Sequence, residues 1–260
     1  MRLSIVTVGI VAFLSGVASQ AVTADTLIFV NCGPYRSPDV TGHQELHVNW
    51  LDDDLTDDAN CTESFAALEL QHYLQKLAGR YDDFDTVKDT HPLTKDDLLL
   101  VGGPKSNAVL REHSGKLGLD LNKLGFTDKQ LAELGPGGYR IKSVVINGRR
   151  ITLVAGGGRV GTLYGAYNLL HRLGCRWYAP GEDHSEIPSI DKIPDLSISE
   201  RLTIAARSCP KQESQFHAGA DFFIWMARNR FNCWSGAEEN VGLLYKLGIE
   251  SQTSLSRLNR

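Results

Sequence analysis

Three glycines, Gly156, Gly158 and Gly161, are the residues whose spacing most directly indicates chemistry. They follow a β-branched run, open a helical pattern and match the G-x-G-x-x-G spacing of dinucleotide-binding loops. In such a loop the backbone amides and the helix N-terminus hold a pyrophosphate. Residues 176–180, which follow the helix, read RWYAP and supply no acid for the ribose hydroxyls. A strand-to-helix turn that needs positive φ is therefore the favoured interpretation, and a nucleotide site is the less favoured one.

An acidic run from residue 52 to residue 58 could form a calcium loop. Counted from Asp52, the carboxylates of Asp54 and Glu63 fall at ligand positions of an EF-hand. The sixth position of that loop requires a glycine for its sharp turn, and here it is Asp57. A solvated loop is therefore favoured over a calcium site, and no metal ion is expected.

Aromatic, arginine and amide side chains concentrate between residues 225 and 234. Rings and amides of this kind suit sugar recognition at the rim of a barrel, which makes Trp225 and Asn229 candidate substrate-binding residues. Phe222, Trp225 and Met226 also share one helical face, so a core-packing helix with a polar end is the favoured alternative.

The common signatures of hydrolases are absent from the sequence. It has no G-x-S-x-G elbow and no H-E-x-x-H motif, and its eight histidines, His72 and His171 among them, are scattered. Glycosidases need a pair of carboxyl groups, but Asp221 lies at a predicted helix start, where an N-cap explains it more simply. We therefore assign no catalytic residue and no cofactor to this chain.

Hydrophobic periodicity predicts the elements that would position these residues. Asn60 and Glu63 resemble a capping box at the start of a long helix, and Gly79 ends that helix. Two strand-like runs flank Asn147-Gly148, which is a strong signal for a β-hairpin. This order predicts an α/β (α+β-like) domain, a small mixed sheet with helices packed on it. The predicted strands are 26–31, 98–101, 139–146, 150–155, 176–178 and 203–207, and the predicted helices are 60–79, a short one within 105–119, 127–134, 159–173, 221–232 and 241–247.

Composition and charge describe an ordinary globular protein, and the N-terminus predicts export. The chain has 260 residues, of which 42% are hydrophobic, and a formal net charge of −4, which argues against a nucleic-acid partner. Arg2 precedes an apolar run at 4–17 and a tail of small residues, the order of a secretory signal peptide over residues 1–24. A membrane anchor is the alternative for this segment. No later stretch is apolar enough to cross a bilayer, so we expect a secreted or periplasmic protein without a membrane partner after cleavage.

The cysteine content leaves the disulfide pattern open. An odd number of cysteines follows the predicted signal peptide, so at least one is unpaired or bonded elsewhere. None belongs to a C-x-x-C pair, so a zinc or redox site is not expected. An exported chain permits disulfides, and Cys32 with Cys61 is one pairing among several. The cysteines are Cys32, Cys61, Cys175, Cys209 and Cys233.

Several sequence elements occur in an order that resembles a known kind of domain. They are AALEL at 66–70, YL at 73–74, LVG at 100–102, GYRI at 138–141, GTLYGAY at 161–167 and LGCRWYAPG at 173–181. Together they resemble the N-terminal α/β domain that precedes the barrel in family 20 β-hexosaminidases and in α-glucuronidases. The resemblance implies an α/β domain at 25–199 that braces a barrel without performing chemistry. Residues 200–260 would then be the start of a truncated (β/α) TIM-type barrel, of which the chain holds about one unit.

The resemblance also implies a role for Arg207, at the end of a first barrel strand over 203–207. In hexosaminidases the matching arginine holds sugar hydroxyls and is followed by glycine, whereas Ser208 follows it here. The catalytic acids of the family lie on later strands. We therefore expect the accessory region of a hexosaminide or glucuronide hydrolase, with carbohydrate as the partner of the barrel and no turnover by this chain alone.

A non-catalytic carbohydrate-binding or cell-envelope module is the alternative function. A barrel frame with paired acids in the DNA after Arg260 would favour the hydrolase, and unrelated sequence would favour the module. In either case, a barrel segment without its partners is expected to expose apolar surface and to promote self-association.

Overall fold

A computed structural model describes residues 26–94, 96–204, 206–208, 219–234 and 240–251, so the predicted signal peptide and Cys209 lie outside the described residues. Within these ranges, no helix is both long and apolar enough to cross a bilayer. The strands are β1 (Thr26–Val30), β2 (Phe84–Lys88), β3 (Asp97–Val101), β4 (Tyr139–Ile146), β5 (Arg149–Gly156), β6 (Arg176–Trp177), β7 (Ser185–Glu186), β8 (Ser197–Glu200), β9 (Cys233–Trp234) and β10 (Glu250–Ser251). The helices are α1 (Pro38–Gly42), α2 (Leu55–Ala78), α3 (Ala108–His113), α4 (Leu121–Leu124), α5 (Asp128–Ala132), α6 (Arg159–Arg172), α7 (Ala220–Arg228), α8 (Val241–Leu247) and a 3-10 helix (Glu182–His184).

Six strands form one mixed sheet in the order β2-β1-β3-β5-β4-β8. Strands β1, β2, β3 and β5 run parallel, whereas β4 is antiparallel to both of its neighbours, β5 and β8. The β4–β5 hairpin turns at Asn147 and Gly148, whose φ angles of 53° and 80° suit the type I′ turn that Asn-Gly favours. The predicted mixed sheet with helices packed on it and the predicted hairpin are both confirmed.

The central strands are buried on both faces, which explains their nearly continuous apolar sequences. On one face, α2 and α6 pack over Ile28, Leu99 and Val154. On the other face, α3, α4 and α5 with their loops cover Phe29 and Leu153. The layer formed by α2 and α6 packs against the sheet and also against α7 and α8.

Helix α2 begins at Leu55, not at Asn60. Asp54 is its N-cap and accepts a hydrogen bond at 3.0 Å from a backbone N–H of the first turn. The predicted capping box of Asn60 and Glu63 is therefore wrong, since both side chains lie inside the helix and are buried. The acidic run supplies instead the cap and the negative first turn that stabilise a helix N-terminus. Gly79, with a φ of 65°, ends the helix as predicted.

Several elements have no counterpart in the sequence-based prediction, among them β2, β8 and α1. Strand β2 forms one edge of the sheet and is mostly half-exposed, so its sequence FDTVK contains no apolar run. Strand β8 forms the other edge, and it pairs with β4 across the predicted domain boundary between residues 199 and 200. Helix α1, which is capped by Ser37, lies in a stretch for which no helix or strand was predicted.

The chain after residue 200 differs from the expected first barrel strand. The described residues of 203–207 are not in a strand. Ser208 instead forms an isolated parallel bridge with Cys233, and β9 pairs in parallel with β10. Phe223 and Met226 of α7 are buried, so the apolar face that was expected to be exposed is covered within the chain, whereas Ile204 remains 64% exposed.

Candidate functional site

The glycine-rich turn between β5 and α6 uses its own backbone donors. The Gly156 N–H donates to Oγ1 of Thr162 at 3.1 Å. The N–H groups of Gly157 and Gly161 donate, at 2.9 and 3.0 Å, to carbonyl oxygens of the loop at 135–138. A phosphate in this turn would have to displace those three hydrogen bonds. Three of the amides that a dinucleotide loop would offer to a phosphate are therefore already engaged within the protein.

Close backbone packing explains why this turn contains glycine. A Cβ on Gly156 would lie 2.3 Å from the carbonyl carbon of Gly161, and a Cβ on Gly161 would lie 2.2 Å from the carbonyl oxygen of Gly138. Gly156, Gly158 and Gly161 all lack a positive φ. The expectation that the turn needs positive φ is therefore wrong, and the requirement is space between two backbone segments.

Arg207 lies where the chain enters its C-terminal part, and several of its donors are in use. Its backbone N–H donates to Oδ1 of Asn232 at 2.7 Å, and its Nε donates to the carbonyl oxygen of Arg230 at 2.5 Å. One Nη donates to the carbonyl oxygen of Ile204 at 2.6 Å. The guanidinium lies 5.4 Å from the ring centre of Tyr164, within the range of a cation–π contact. The other Nη is buried and has no hydrogen-bond partner among the described residues.

Trp225 and Asn229 contact a different group from Arg207. The indole Nε1 of Trp225 and the amide Nδ2 of Asn229 both donate to the carbonyl oxygen of Trp177, at 3.0 and 3.1 Å. These two hydrogen bonds attach the last turn of α7 to β6. The structure therefore does not bring the three sequence-predicted site residues onto a common partner.

A buried ion pair that the sequence did not indicate joins α7 to α2. Nε and Nη2 of Arg228 donate to the two carboxylate oxygens of Glu69 at 2.8 and 3.0 Å. The Arg228 guanidinium also lies 5.0 Å from the ring centre of Tyr73 and 5.6 Å from that of Trp177. Burial opposes the charged form of Arg228, but the Glu69 carboxylate outweighs burial and raises the pKa of the guanidinium. A pair with this geometry fixes the position of α7 on the α/β domain.

A second buried acid, Glu63, lies at the carboxyl edge of the sheet. Unlike Glu69, it has no cationic partner among the described residues. Glu63 of α2 accepts a hydrogen bond from Oγ1 of Thr162 at 2.9 Å, and its other carboxylate oxygen has no partner among the described residues. Burial, helped by the nearby Asp89 carboxylate, raises the pKa of Glu63 to about 7, although the Ser106 and Thr162 hydroxyls act in the opposite direction. Sequence patterns missed this group because they assigned Glu63 to a helix cap.

The cysteines of the described residues are all free thiols. The predicted pairing of Cys32 with Cys61 is wrong, since both are unpaired. Burial raises the pKa of both thiols to about 11 and that of Cys175 to about 12. Cys233 is half-buried. Thiols held in the protonated form are poor nucleophiles, so these three buried cysteines serve as core residues.

The remaining sequence candidates do not form a catalytic constellation. Gly219 caps α7, so Asp221 lies in the first turn and is not the predicted N-cap. The ring Nε2 of His171 lies 3.1 Å from the carbonyl oxygen of Arg228, and burial lowers the pKa of this histidine. His72 is half-exposed beside Glu182. Among the described residues, no group of three or more His, Cys, Asp or Glu side chains is arranged to hold a metal ion.

An open cavity of about 470 Å³ lies beside the turn of the β4–β5 hairpin. Apolar Leu117 and Ile151 line it together with charged Asp97, Lys116 and Arg149. None of the residues that the sequence singled out for chemistry lines this cavity.

Comparison with known proteins does not assign a role to any of these residues. The chain matches no model of a known protein family, and no curated protein matches its sequence.

Proposed function

We propose that this chain is the N-terminal accessory region of an exported glycoside hydrolase that acts on hexosaminides or glucuronides. In this proposal, the α/β domain at 25–199 braces the opening units of a (β/α) barrel. Later barrel strands would carry the catalytic carboxylates. The signal-like N-terminus and the family resemblance of 66–70, 161–167 and 173–181 support it.

The observation that carries this proposal is a succession of short parallel segments after residue 206. Ser208 bridges Cys233, and β9 pairs with β10, so the segments are neighbours in chain order. Helix α7 lies between the first and second segments, and α8 lies between the second and third. Adding one parallel strand beside its predecessor after each helix is how a (β/α) barrel is built. This order therefore supports the opening of a barrel.

The bracing role is supported by the polar contacts that hold α7 and α8. The Glu69–Arg228 pair fixes α7 to α2. Lys246 of α8 is only 2% exposed, and its Nζ donates to the carbonyl oxygen of Gly42 at 3.1 Å and to Glu45 at 2.8 Å. Hydrogen bonds to charged groups are directional and stronger than neutral ones. They would hold the barrel helices at a defined position on the α/β domain.

The sugar-binding part of the proposal assigns the contact to Arg207. A guanidinium presents several donors in a fixed plane, which suits two adjacent hydroxyl groups of a sugar. One Nη of Arg207 has no hydrogen-bond partner among the described residues, but it is buried, so a sugar would reach it only after neighbouring side chains moved. Trp225 and Asn229, whose polar atoms donate to Trp177, act in this proposal by docking α7.

Saturation-transfer NMR of the full chain tests the assignment. The ligands are the methyl glycosides of N-acetylglucosamine and of glucuronic acid. We expect transfer to one of the two, and its loss in Arg207→Ala and Arg207→Lys. Arg201→Ala is the matched control, because the exposed Arg201 donates, within the described part of the chain, to the carbonyl oxygen of Glu133 and not to the Arg207 region. Circular dichroism verifies that each variant is folded.

Three outcomes would count against the proposal. Absence of transfer to both sugars removes the sugar-binding role. Transfer that persists in folded Arg207→Ala removes the assignment to Arg207. Turnover of an aryl hexosaminide or glucuronide by the purified chain removes the accessory role. Retention on an insoluble envelope polymer, without transfer to either sugar, favours a cell-envelope module instead.

A further inference from the structure

The carboxyl group of Glu63 occupies an unusual position at the carboxyl edge of the sheet. The residue is only 4% exposed, although an isolated buried carboxylate is among the most costly groups to remove from water. Its Oε1 accepts from Thr162 at 2.9 Å, and its Oε2 has no partner among the described residues. A neutral carboxylic acid fits this site better than a carboxylate.

Within the described ranges, the elements packed around Glu63 bring no positive charge to it. Helix α6 contributes the hydroxyl of Thr162, and the loop after β3 contributes that of Ser106. Both hydroxyls favour the ionised form of Glu63 and lower its pKa, but burial outweighs them. The segment after β2 contributes the carboxylate of Asp89, which has the same sign as an ionised Glu63. The cation that lies on the same turn of α6, Arg159, pairs instead with Asp58 at 3.5 Å.

The Glu63 carboxyl is connected to the segment that holds α8. Oγ1 of Thr162 donates to Glu63 and accepts from the N–H of Gly156, so the acid stabilises the first turn of α6. Arg159 of that turn donates to the carbonyl oxygen of Tyr245 at 2.6 Å. The side chain of Val160, also in that turn, leaves no space for a Cβ on Gly248.

The loop after β3 is closed onto the same carboxyl. Gly102 has a φ of 98°, and a Cβ there would lie 2.6 Å from Oε2 of Glu63 and 2.6 Å from Oγ of Ser106. The backbone of the loop therefore lies directly against the unpartnered oxygen. An ionised Oε2 could gain solvation only if this loop moved away from it.

We infer that Glu63 is a proton-operated latch, closed when the carboxyl group is neutral and loosened when its proton leaves to solvent. Opening would release the loop after β3 and the first turn of α6, and with that turn the attachment of α8. The latch links the position of the C-terminal βα segments to the pH of the surrounding solution. It does not depend on the identity of any sugar ligand.

The direction of the pH dependence follows from the two protonation states. In the folded chain burial raises the pKa of Glu63 to about 7, whereas the ordinary value of 4.5 applies to the unfolded chain. Between these values the unfolded state binds fewer protons than the folded state. The stability contributed by the closed latch is therefore present at acidic pH and is lost as pH rises from 4.5 to 7.

A direct test follows the carboxyl carbon of Glu63 by NMR in the full chain as pH is raised. A midpoint near 7, accompanied by shifts of the Gly156 and Thr162 amides at the same midpoint, is the expected result. A midpoint near 4.5 overturns the proposal, because the acid would then be ionised throughout the neutral range. This measurement needs no variant.

Glu63→Gln tests whether the proton controls the attachment of α8. Glutamine keeps a neutral side chain at every pH. Amide exchange in α8, corrected for its intrinsic pH dependence, should therefore be faster at pH 8 than at pH 5 in the parent chain, and this difference should be smaller in Glu63→Gln. Glu182→Gln is the matched control, since Glu182 also accepts from a hydroxyl but has its pKa lowered to about 2. Asp58→Asn separates the contribution of Asp58, whose pKa burial raises to about 6. An unchanged difference between pH 5 and pH 8 in folded Glu63→Gln would remove the latch.

Discussion

Arg228 and Glu69 meet through two parallel hydrogen bonds of 2.8 and 3.0 Å, with both side chains about nine-tenths buried. Breaking a buried pair by removing one partner typically costs 3–5 kcal/mol, because the other charge is left uncompensated. We expect Arg228→Met to lower the free energy of unfolding by about 3–5 kcal/mol in urea denaturation.

Two further variants make that prediction specific. Glu69→Met combined with Arg228→Met removes both charges, and most of the lost stability should return. Arg176→Met is the control, since the exposed Arg176 donates to backbone carbonyls and should change stability by less than about 0.5 kcal/mol. A single Arg228→Met variant as stable as the parent would show that the pair does not fix α7.

The tight turn before α6 predicts a large difference between two Gly→Ala substitutions. Gly161→Ala would place a methyl group 2.2 Å from the carbonyl oxygen of Gly138, so we expect a loss of roughly 1–3 kcal/mol of stability. Gly115→Ala meets no atom within 4 Å and should be nearly neutral. Thermal unfolding of both variants measures the difference. Equal melting temperatures would contradict the close-packing explanation, and stabilisation of the parent chain by NAD or ATP would restore the nucleotide interpretation.

Glu182 predicts a pH dependence of opposite sign to that of Glu63. Burial opposes ionisation, but hydrogen bonds from Lys76 and Tyr73 outweigh it and lower the pKa of Glu182 to about 2. Its contribution to stability is therefore present above 4.5 and is lost as pH falls towards 2. We expect Glu182→Gln to flatten the acid limb of the stability profile, and Glu112→Gln, at an exposed pair, to leave it unchanged. An acid limb of equal slope in all three proteins would count against this role.

The free thiols predict a labelling pattern. Cys32, Cys61 and Cys175 are buried and have raised pKa values, so iodoacetamide should modify them only after unfolding. Peptide mass spectrometry of native and urea-treated protein measures this. A disulfide-linked peptide that contains Cys32 and Cys61 would contradict the structure at this point.

Local patterns in the sequence predicted the parts of the fold that local interactions determine. The Asn147-Gly148 turn and helix α8 at 241–247 agree with prediction because a turn dipeptide and a helical period carry their own signal. The start of α2 was misplaced because two caps compete there, and Asp54 is used instead of Asn60. Strand β2 is half-exposed at the edge of the sheet, so its alternation is too weak to recognise.

The environment of the candidate site residues could not be predicted, because distant segments create it. Arg207 lies against Tyr164 and Arg230, and no spacing rule relates these three positions. The ion pair of Arg228 with Glu69 likewise joins helices that are far apart in the chain. Glu63 was given a role in a helix cap, although its burial depends on the loop after β3 and on α6.

The carbonyl oxygen of Trp177 has a consequence for how this chain can be recombined. It accepts hydrogen bonds from both Trp225 and Asn229. The position of one peptide group in β6 therefore fixes the position of the last turn of α7. Because the acceptor is a main-chain carbonyl that any residue at position 177 would supply, a chimera joined near residue 200 keeps this attachment as long as its C-terminal part keeps Trp225 and Asn229.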